Sequence, residues 1–264
     1  MGRRNLELHR SIPSGCAWSA PIFCYMCREL QEWREIAVFL AKQHLDLGLY
    51  TNQREGQLAF WQQTVGLEFD HIGKLGGGVH QLRHHMNGSI LKVNHARDLL
   101  PDLPPSGYRK LLIAKDELDH VQSLKDPDGN AVDLVPPGHQ GVVGIGIEIA
   151  VSDLDAAKAF WVDALQFQQG DNDTIFAGDT VLLLVQDGTV QPTPDEKSAS
   201  GYRYTTVQIH KCDAEHAGIL ARGGREGEVP RTIGTTTRFS FVRDPDGNWL
   251  EVSQRAQLTG TLEQ

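Results

Sequence analysis

The sequence predicts an α+β fold made of tandem repeats of paired βαβββ modules, with curved mixed sheets, helices on the convex face and a cup on the other face. Three repeated segments indicate this arrangement. Ala-Phe-Trp occurs at 59–61 and 159–161, Gly-Tyr-Arg at 107–109 and 201–203, and Asp-Pro-Asp-Gly-Asn at 126–130 and 244–248. Because the three landmarks recur in the same order, the chain contains an internal duplication.

Each copy opens with a strand in which apolar residues alternate with others, at 44–50 and 143–151. This period of two is typical of a strand with one buried face. Amphipathic helices follow at about 55–65 and 153–165. A hairpin comes next, and Asn87-Gly88 between two apolar runs is the strongest short-range signal for one. In the second copy, Gly178-Asp179 occupies the same place.

The second half of each copy predicts a strand, a link and a further hairpin. The Asp-Pro-Asp-Gly segments have the residues that a type I turn prefers at its positions. The second copy is longer between its last two landmarks, and a helix is predicted there at 214–222, closed by Gly223-Gly224. The first copy has only residues 115–124 at that place, so its second helix is expected to be missing or reduced to one turn.

The copies predict two domains that meet near Pro136-Pro137-Gly138. Domain 1 covers 44–138 and is abbreviated, domain 2 covers 139–255, and 256–264 form a tail. Residues 1–43 are predicted to be an extension that is partly helical or disordered. Cys24 and Cys27 in this extension form a CxxC pair, but a zinc site needs four ligands at paired spacing, so reduced cysteines are expected.

The composition narrows the classes of function. The net charge is −9 and no Lys/Arg cluster stands out, which argues against a nucleic-acid partner. No apolar run reaches the roughly 18 residues that a membrane span needs. Four cysteines are too few for a disulfide framework, which favours a reducing compartment. We therefore expect a cytoplasmic monomer or homodimer that acts on a small molecule.

The alternation also assigns side chains to the cup, because neighbours in a strand point to opposite faces. If the leucines and isoleucines of each first strand pack under its helix, His44, Asp46, Tyr50 and Glu148 face the cup. The same argument for the later strands adds the residues Asp133, Tyr204, Trp249 and Glu251.

The Asn87-Gly88 hairpin places His80 opposite His95, with His84 on the same face. Neutral imidazole is the commonest metal ligand and the usual acid or base near neutral pH. These histidines are therefore expected in the cup. The alternative is that they are half-buried and hydrogen-bonded to the backbone or to each other.

Two segments carry a resemblance to a known family, namely Asp153 to Trp161 after a first strand and Phe241 to Glu251 around the second Asp-Pro-Asp-Gly-Asn turn. They resemble the glyoxalase / bleomycin-resistance / extradiol-dioxygenase (vicinal oxygen chelate) superfamily, and the resemblance covers about 44–255. It specifies the fold well and the reaction poorly, since one scaffold hosts different chemistries.

Metal-dependent members of this family take ligands from a first strand, from the later equivalent strand and from a Glu after the turn. In the second copy these positions fall on Gly146, Tyr204 and Glu251. Two of the three ligands of an iron-dependent ring-cleaving dioxygenase are thus absent, which argues against that reaction. In the first copy the positions fall on Asp46, Lys110 and Asp133.

A divalent metal (Fe, Mn, Zn or Ni) is therefore expected in the first copy if one is bound, and the candidate ligands are His44, Asp46, His80, His84 and Asp133. An ion pair with Lys110 is the alternative role for the two aspartates. The candidate catalytic residues are Glu251, Glu148, His80 and His95. The candidate substrate-binding residues are Trp249, Tyr204, Arg203 and Tyr50. For Glu251 the alternative is a solvated carboxylate at a strand end.

Three functions remain open. The favoured one is an enzyme of the vicinal oxygen chelate type (a lyase, isomerase or dioxygenase) that acts on a small oxygen-bearing metabolite through a divalent metal or a carboxylate/His acid–base pair. The second is a metal-free small-molecule binding or drug-sequestering protein of the bleomycin-resistance type. In the third, the first copy is structural and supports the second.

Overall fold

The computed structural model describes residues 38–262, so the predicted extension lies outside the described residues except for its last six positions. The described chain forms two curved sheets. The larger sheet contains β1 (Asp46–Thr51), β2 (Glu68–Gly76), β3 (Val79–Met86), β4 (Ser89–Ala96), β12 (Gly201–Gln208), β13 (Arg225–Ile233), β14 (Thr237–Arg243) and β15 (Trp249–Arg255). The smaller sheet contains β5 (Tyr108–Ala114), β6 (Gln122–Lys125), β7 (Ala131–Val135), β8 (Ile145–Val151), β9 (Gln168–Gln169), β10 (Thr174–Ala177) and β11 (Thr180–Gln186).

The helices follow the first strands, as the sequence predicts. Helix α1 (Arg54–Ala59) continues into a π-helical turn at Phe60–Thr64, and α2 (Leu154–Lys158) continues into one at Ala159–Ala164. The repeated Ala-Phe-Trp motif lies at these junctions, and Trp61 and Trp161 are fully buried there. A third helix, α3 (Cys212–Ala221), precedes β13, and a short α4 (Ala256–Thr259) follows β15. Only turns connect β5 to β6.

The predicted turns are present, and local chemistry explains them. Met86 pairs with Ser89 across the Asn87-Gly88 turn. Both turn residues have positive φ (46° and 85°), which a type I′ turn requires and which Asn and Gly tolerate. In the repeated Asp-Pro-Asp-Gly-Asn segments, the first Asp carboxylate accepts the backbone N–H of the Asn four residues later, at 2.8 Å in the first copy and 2.7 Å in the second.

Each sheet combines strands from both sequence copies. The larger sheet has the order β13-β14-β15-β12-β1-β4-β3-β2, and its two halves meet where β1 runs antiparallel to β12. The smaller sheet has the order β6-β7-β5-β8-β11-β10-β9 and joins the copies through β5 and β8. A concave face therefore takes one module from each copy, so the residues of a single copy are divided between the two faces.

The predicted apolar alternation holds for the first strands. Leu47 and Leu49 of β1 and Ile147 and Ile149 of β8 are fully buried and belong to one large core cluster with the two tryptophans. Residues of the helices belong to the same cluster, so these strand residues lie on the helix-covered face of each sheet. The opposite face of each sheet is the concave one. None of the helices within 38–262 is long and apolar enough to cross a lipid bilayer.

Candidate functional site

A cavity of about 440 Å³ lies on the concave face of the larger sheet. Its size falls in the range of small-molecule sites. Aromatic and cationic side chains line it, together with a single carboxylate: Tyr50, Tyr204, Phe239, Phe241, Lys74, Arg83, Lys92, Lys197, Arg231, Arg255 and Glu251.

The pairing of β1 with β4 brings Lys92 to this face. Leu47 pairs with Leu91 in parallel register, so Leu91 shares the helix side with Leu47 and the next residue points the other way. Gly48 lies beside Lys92 and opposite Tyr204. A Cβ atom at Gly48 would lie 2.2 Å from the Tyr204 ring, so glycine allows this ring to lie across β1.

An aromatic cluster forms the wall of the cavity. The Phe241 ring makes edge-to-face contacts with Tyr204 and Trp249, with centroids 5.9 and 5.7 Å apart. Lys197 Nζ lies 4.7 Å from the Phe241 centroid. Burial raises the pKa of Tyr50 to about 12 and holds the pKa of Tyr204 well above its usual value, so both phenols are neutral at physiological pH. This wall is suited to the planar, apolar part of a ligand.

Lys92, Glu251 and Thr206 form a hydrogen-bonded cluster in the cavity. Lys92 Nζ donates to Glu251 Oε2 at 2.8 Å and to Thr206 Oγ1 at 2.6 Å. Thr206 Oγ1 donates to the same carboxylate oxygen at 2.9 Å. The Lys92 side chain is 1% exposed and that of Glu251 is 11% exposed, so the carboxylate retains access to the cavity.

The charges of this cluster depend on each other. Burial alone would raise the pKa of Glu251, but the charges of Lys92 and Arg255 and the hydrogen bonds from Lys92 and Thr206 together hold this pKa below its usual value. Burial lowers the pKa of Lys92, although the carboxylate opposes this effect. An ammonium group has three N–H donors. Two of those on Lys92 bind Glu251 and Thr206, and one remains for a ligand oxygen.

The metal site expected in the first copy is not formed by the residues that were predicted for it. Asp46 binds Lys42 at 2.7 Å and accepts the backbone N–H of Ile90 at 2.9 Å. His44 Nδ1 lies 3.7 Å from Asp179, against the turns of two hairpins. Within 38–262, no group of three or more His, Cys, Asp or Glu side chains is arranged to hold a metal ion.

The family's ligand positions do not fit a metal either. Glu251 and Tyr204 belong to the larger sheet, whereas Gly146 lies on β8 of the smaller one. One oxygen of Glu251, Oε2, already accepts a hydrogen bond from the Lys92 ammonium. A cation beside this ammonium would be repelled, so the chain's own Lys92 supplies the positive charge that a metal would bring.

The prediction that the hairpin histidines face the cup is wrong. His84 pairs with Leu91, and both lie on the helix side. His84 is fully buried, its Nε2 lies 3.4 Å from Gln62 after α1, and burial lowers its pKa to about 4. His80 and His95 pair as predicted but lie on the same helix-side face. The strand face that carries these histidines is mostly apolar, which is why the histidines were conspicuous in the sequence. The same apolar character indicates that this face belongs to the core.

Glu148 and Asp133 belong to the smaller sheet, where both bind Lys110, at 3.4 and 3.3 Å. The candidate catalytic residues Glu148 and Glu251 therefore do not form one site, because the two carboxylates line different sheets. The ion pair with Lys110 that was the alternative for Asp133 is present. Val142 packs against Gly146 on this second concave face, since a Cβ at Gly146 would lie 2.7 Å from its side chain.

Arg203 lies on the opposite face of β12 from Tyr204 and is not part of the cavity lining. Its guanidinium donates to the backbone oxygens of Ala199, Ser200 and Pro104 at 2.7–3.0 Å. The prediction that it binds substrate is wrong for this reason, since the group braces the loops around β12. Tyr50 and Tyr204 do line the cavity, with Trp249 packed behind Phe241. Their role in substrate binding stays a prediction.

Three cationic residues of the cavity, Lys92, Arg83 and Arg255, were not predicted from the sequence. The signal for Lys92 was the alternation from Leu91 to Asn94, in which the apolar Leu91 and Val93 alternate with the polar Lys92 and Asn94. Once Leu91 and Val93 are assigned to the core, Lys92 must face the cavity. Arg83 faces the cavity too, because it pairs with Lys92.

Comparisons with known proteins agree with this fold. Residues 145–252 match the family model of the Glyoxalase/Bleomycin resistance protein/Dioxygenase superfamily. Glyoxalase I from Zea mays is 12% identical with a TM-score of 0.62, and the match covers 80% of this chain and 92% of that one. A variant of the same enzyme is 12% identical with a TM-score of 0.65, over 86% of this chain and 96% of that one. Among curated proteins, none matches the sequence.

Proposed function

Because residues 145–252 match the family model of the Glyoxalase/Bleomycin resistance protein/Dioxygenase superfamily, we propose that the larger sheet binds a small oxygen-bearing organic molecule and catalyses proton transfer on it without a metal ion. The observation that carries the proposal is the cluster of Lys92, Glu251 and Thr206 beside an aromatic wall in a 440 Å³ cavity. A base and an electrophile are held there within reach of one ligand.

The chemistry follows from the donors and acceptors. The remaining N–H of Lys92 binds a carbonyl oxygen of the ligand, and Glu251 removes a proton from the carbon beside that carbonyl. Negative charge then develops on the oxygen, where the ammonium stabilises it in a site of low dielectric. Glu251 returns the proton to the same or a neighbouring atom, so the carboxylate is regenerated. A positioned general base contributes about 10²–10⁴-fold to such a rate.

Thr206 orients the base. Its hydroxyl accepts from Lys92 and donates to Glu251 Oε2, so the hydrogen bonds described for the carboxylate fall on one oxygen. The other oxygen is the one that takes the proton. Because the aromatic wall excludes water, the ion pair is worth more than it would be at a surface.

A metal-free binding protein is the second candidate. The Lys92 ammonium lowers the pKa of Glu251, and a weaker base is a poorer catalyst. A protein that sequesters a ligand would use the same cavity without turnover. The two functions differ in one measurable property, which is exchange of a ligand proton with solvent.

The test uses 2-hydroxyacetophenone, a neutral aromatic ketone with oxygens on neighbouring carbons, in D₂O. We expect the protein to accelerate deuterium incorporation at the carbon beside the carbonyl, as followed by NMR. Glu251→Gln should slow this exchange at least 100-fold, whereas Glu148→Gln in the smaller sheet should leave it unchanged. Addition of EDTA should have no effect. A ligand that binds without exchange above the buffer rate would favour the binding protein, and loss of exchange with EDTA would refute metal independence.

A further inference from the structure

We propose that the ligand of this cavity is a small organic anion whose carboxylate or phosphate group binds between Arg83 and Arg255. The inference rests on the proposed function only in using the same cavity, and it names the class of ligand. Its basis is the charge of the cavity and the state of these two guanidinium groups.

The cavity is strongly cationic in an acidic protein. Six Lys and Arg side chains line it together with one carboxylate, that of Glu251, although the whole chain carries a net charge of −9. Two more carboxylates bind these cations from outside the lining: Asp70 lies 3.5 Å from Arg83, and Glu228 lies 3.2 Å from Arg231. An excess of positive charge remains, which would attract and concentrate an anion.

Arg83 is the most deeply buried of the guanidinium groups in the lining. It is 7% exposed, and its Nη1 donates to Gln81 Oε1 at 3.0 Å. Its Nε is buried and makes no hydrogen bond with a described residue, although the Asp70 carboxylate lies 3.5 Å from it as an ion-pair partner. A buried charged donor without an acceptor is costly. A ligand oxyanion would supply the acceptor.

Arg255 approaches the same cavity from the other half of the sheet. It lies on β15 four residues after Glu251 and therefore on the same face, whereas Arg83 lies on β3. Its Nε is also buried and finds no acceptor in residues 38–262. Burial and the nearby charge of Arg255 lower the pKa of Arg83, while the carboxylates of Asp46, Asp70 and Glu251 act in the opposite direction.

Three other cations of the lining already have partners. Lys197 binds Glu228 and lies over the Phe241 ring, and Arg231 lies 4.7 Å from the Phe239 centroid. Lys92 is bound to Glu251. Arg83 and Arg255 are the guanidinium groups of the lining whose buried Nε makes no hydrogen bond with a described residue, and guanidinium groups bind carboxylate and phosphate oxygens in pairs. The aromatic wall is suited to an unsaturated or aromatic body attached to that group.

The test compares benzoate, phenyl phosphate and the neutral benzamide, which share one aromatic ring. We expect calorimetric titration to show binding of at least one anion, with benzamide at least 10-fold weaker and the anion affinity falling as NaCl is raised. The relative affinity of benzoate and phenyl phosphate identifies which oxyanion the site prefers. Equal affinity for benzoate and benzamide, or no binding of either anion, would overturn the proposal.

Variants locate the site. Arg255→Gln and Arg83→Gln should each weaken binding of the preferred anion at least 10-fold, whereas Arg54→Gln, in an exposed ion pair on α1, should not. Thermal melts report whether each variant folds. If Arg83→Gln does not fold, Arg255→Gln alone tests the location of the anion site. Unchanged affinity in a folded Arg255→Gln protein would refute the assignment.

The outcome can be separated from that of the proton-transfer proposal. Glu251→Gln removes the one negative charge of the lining, so anion affinity should be retained or should increase while proton exchange is lost. Anion binding without exchange would leave the ligand class intact and refute catalysis. Proton exchange without a preference for anions would support catalysis and refute the ligand class.

Discussion

The burial of His84 predicts a pH dependence of stability that a residue in the cavity would not show. Burial lowers its pKa to about 4, from 6.5 in the unfolded chain. Between these values the unfolded state binds the proton and the folded state does not, so stability falls as the pH falls. At about 1.4 kcal/mol per pKa unit, the contribution lost between pH 7 and pH 5 is about 1–2 kcal/mol. The lower figure allows for water reaching the ring past the edge strand β2.

The assay is urea unfolding of the wild type and of His84→Leu at pH 7 and pH 5. Leucine is chosen because the ring lies among apolar neighbours such as Leu82 and Leu91. Asp244 acts in the opposite direction, since burial raises its pKa to about 6 and favours the folded state on acidification. The difference between the two proteins cancels this contribution and isolates His84.

The matched control is His85→Asn, because His85 is the next residue, is exposed and points to the other face. We expect the control to keep the wild-type pH dependence and His84→Leu to lose about 1–2 kcal/mol of it. If His84→Leu and the wild type lose the same stability from pH 7 to pH 5, the assignment of this histidine to the core would be refuted.

Three further substitutions test the packing around the cavity by urea unfolding and ligand titration. Lys92→Met should lower the free energy of unfolding by about 3–5 kcal/mol because it leaves a buried carboxylate unpaired, and adding Glu251→Gln should restore most of it; equal stability of the single and double variants would contradict this. Arg203→Leu should cost about 3 kcal/mol through its lost hydrogen bonds without changing ligand affinity, and a weaker affinity in the folded variant would return it to the binding site. Gly48→Ala should displace the Tyr204 ring, cost about 1–3 kcal/mol and weaken ligand binding, so unchanged affinity would show that this ring is not part of the site.

Local features of the fold were predictable because their causes are local. The Asn87-Gly88 turn needs two residues that accept positive φ, and the sequence places them between two apolar runs. The Asp126 carboxylate accepts backbone N–H groups two and four residues away, which needs no information about the rest of the chain. The duplication is visible for the same reason, since each copy repeats these local signals.

The faces of the second hairpin strand were not predictable in the same way. Alternation separates Leu91 and Lys92 but does not say which of the two faces the helices. The answer comes from the parallel pairing of β4 with β1, where Leu91 lies beside Leu47. A strand's neighbour is set by long-range packing, so the two histidine-bearing strands were assigned to the wrong face.

The sequence by itself determined the order of strands and helices, the turns and the existence of two similar copies, because each of these depends on residues a few positions apart. The tertiary structure alone decided that each sheet joins a module of one copy to a module of the other. That exchange brings Lys92 of the first copy to Glu251 of the second, 159 positions apart in the chain. It also moves Glu148 and Gly146 to a different sheet, because a strand can pair with only two neighbours and these neighbours are chosen by the core of the whole fold.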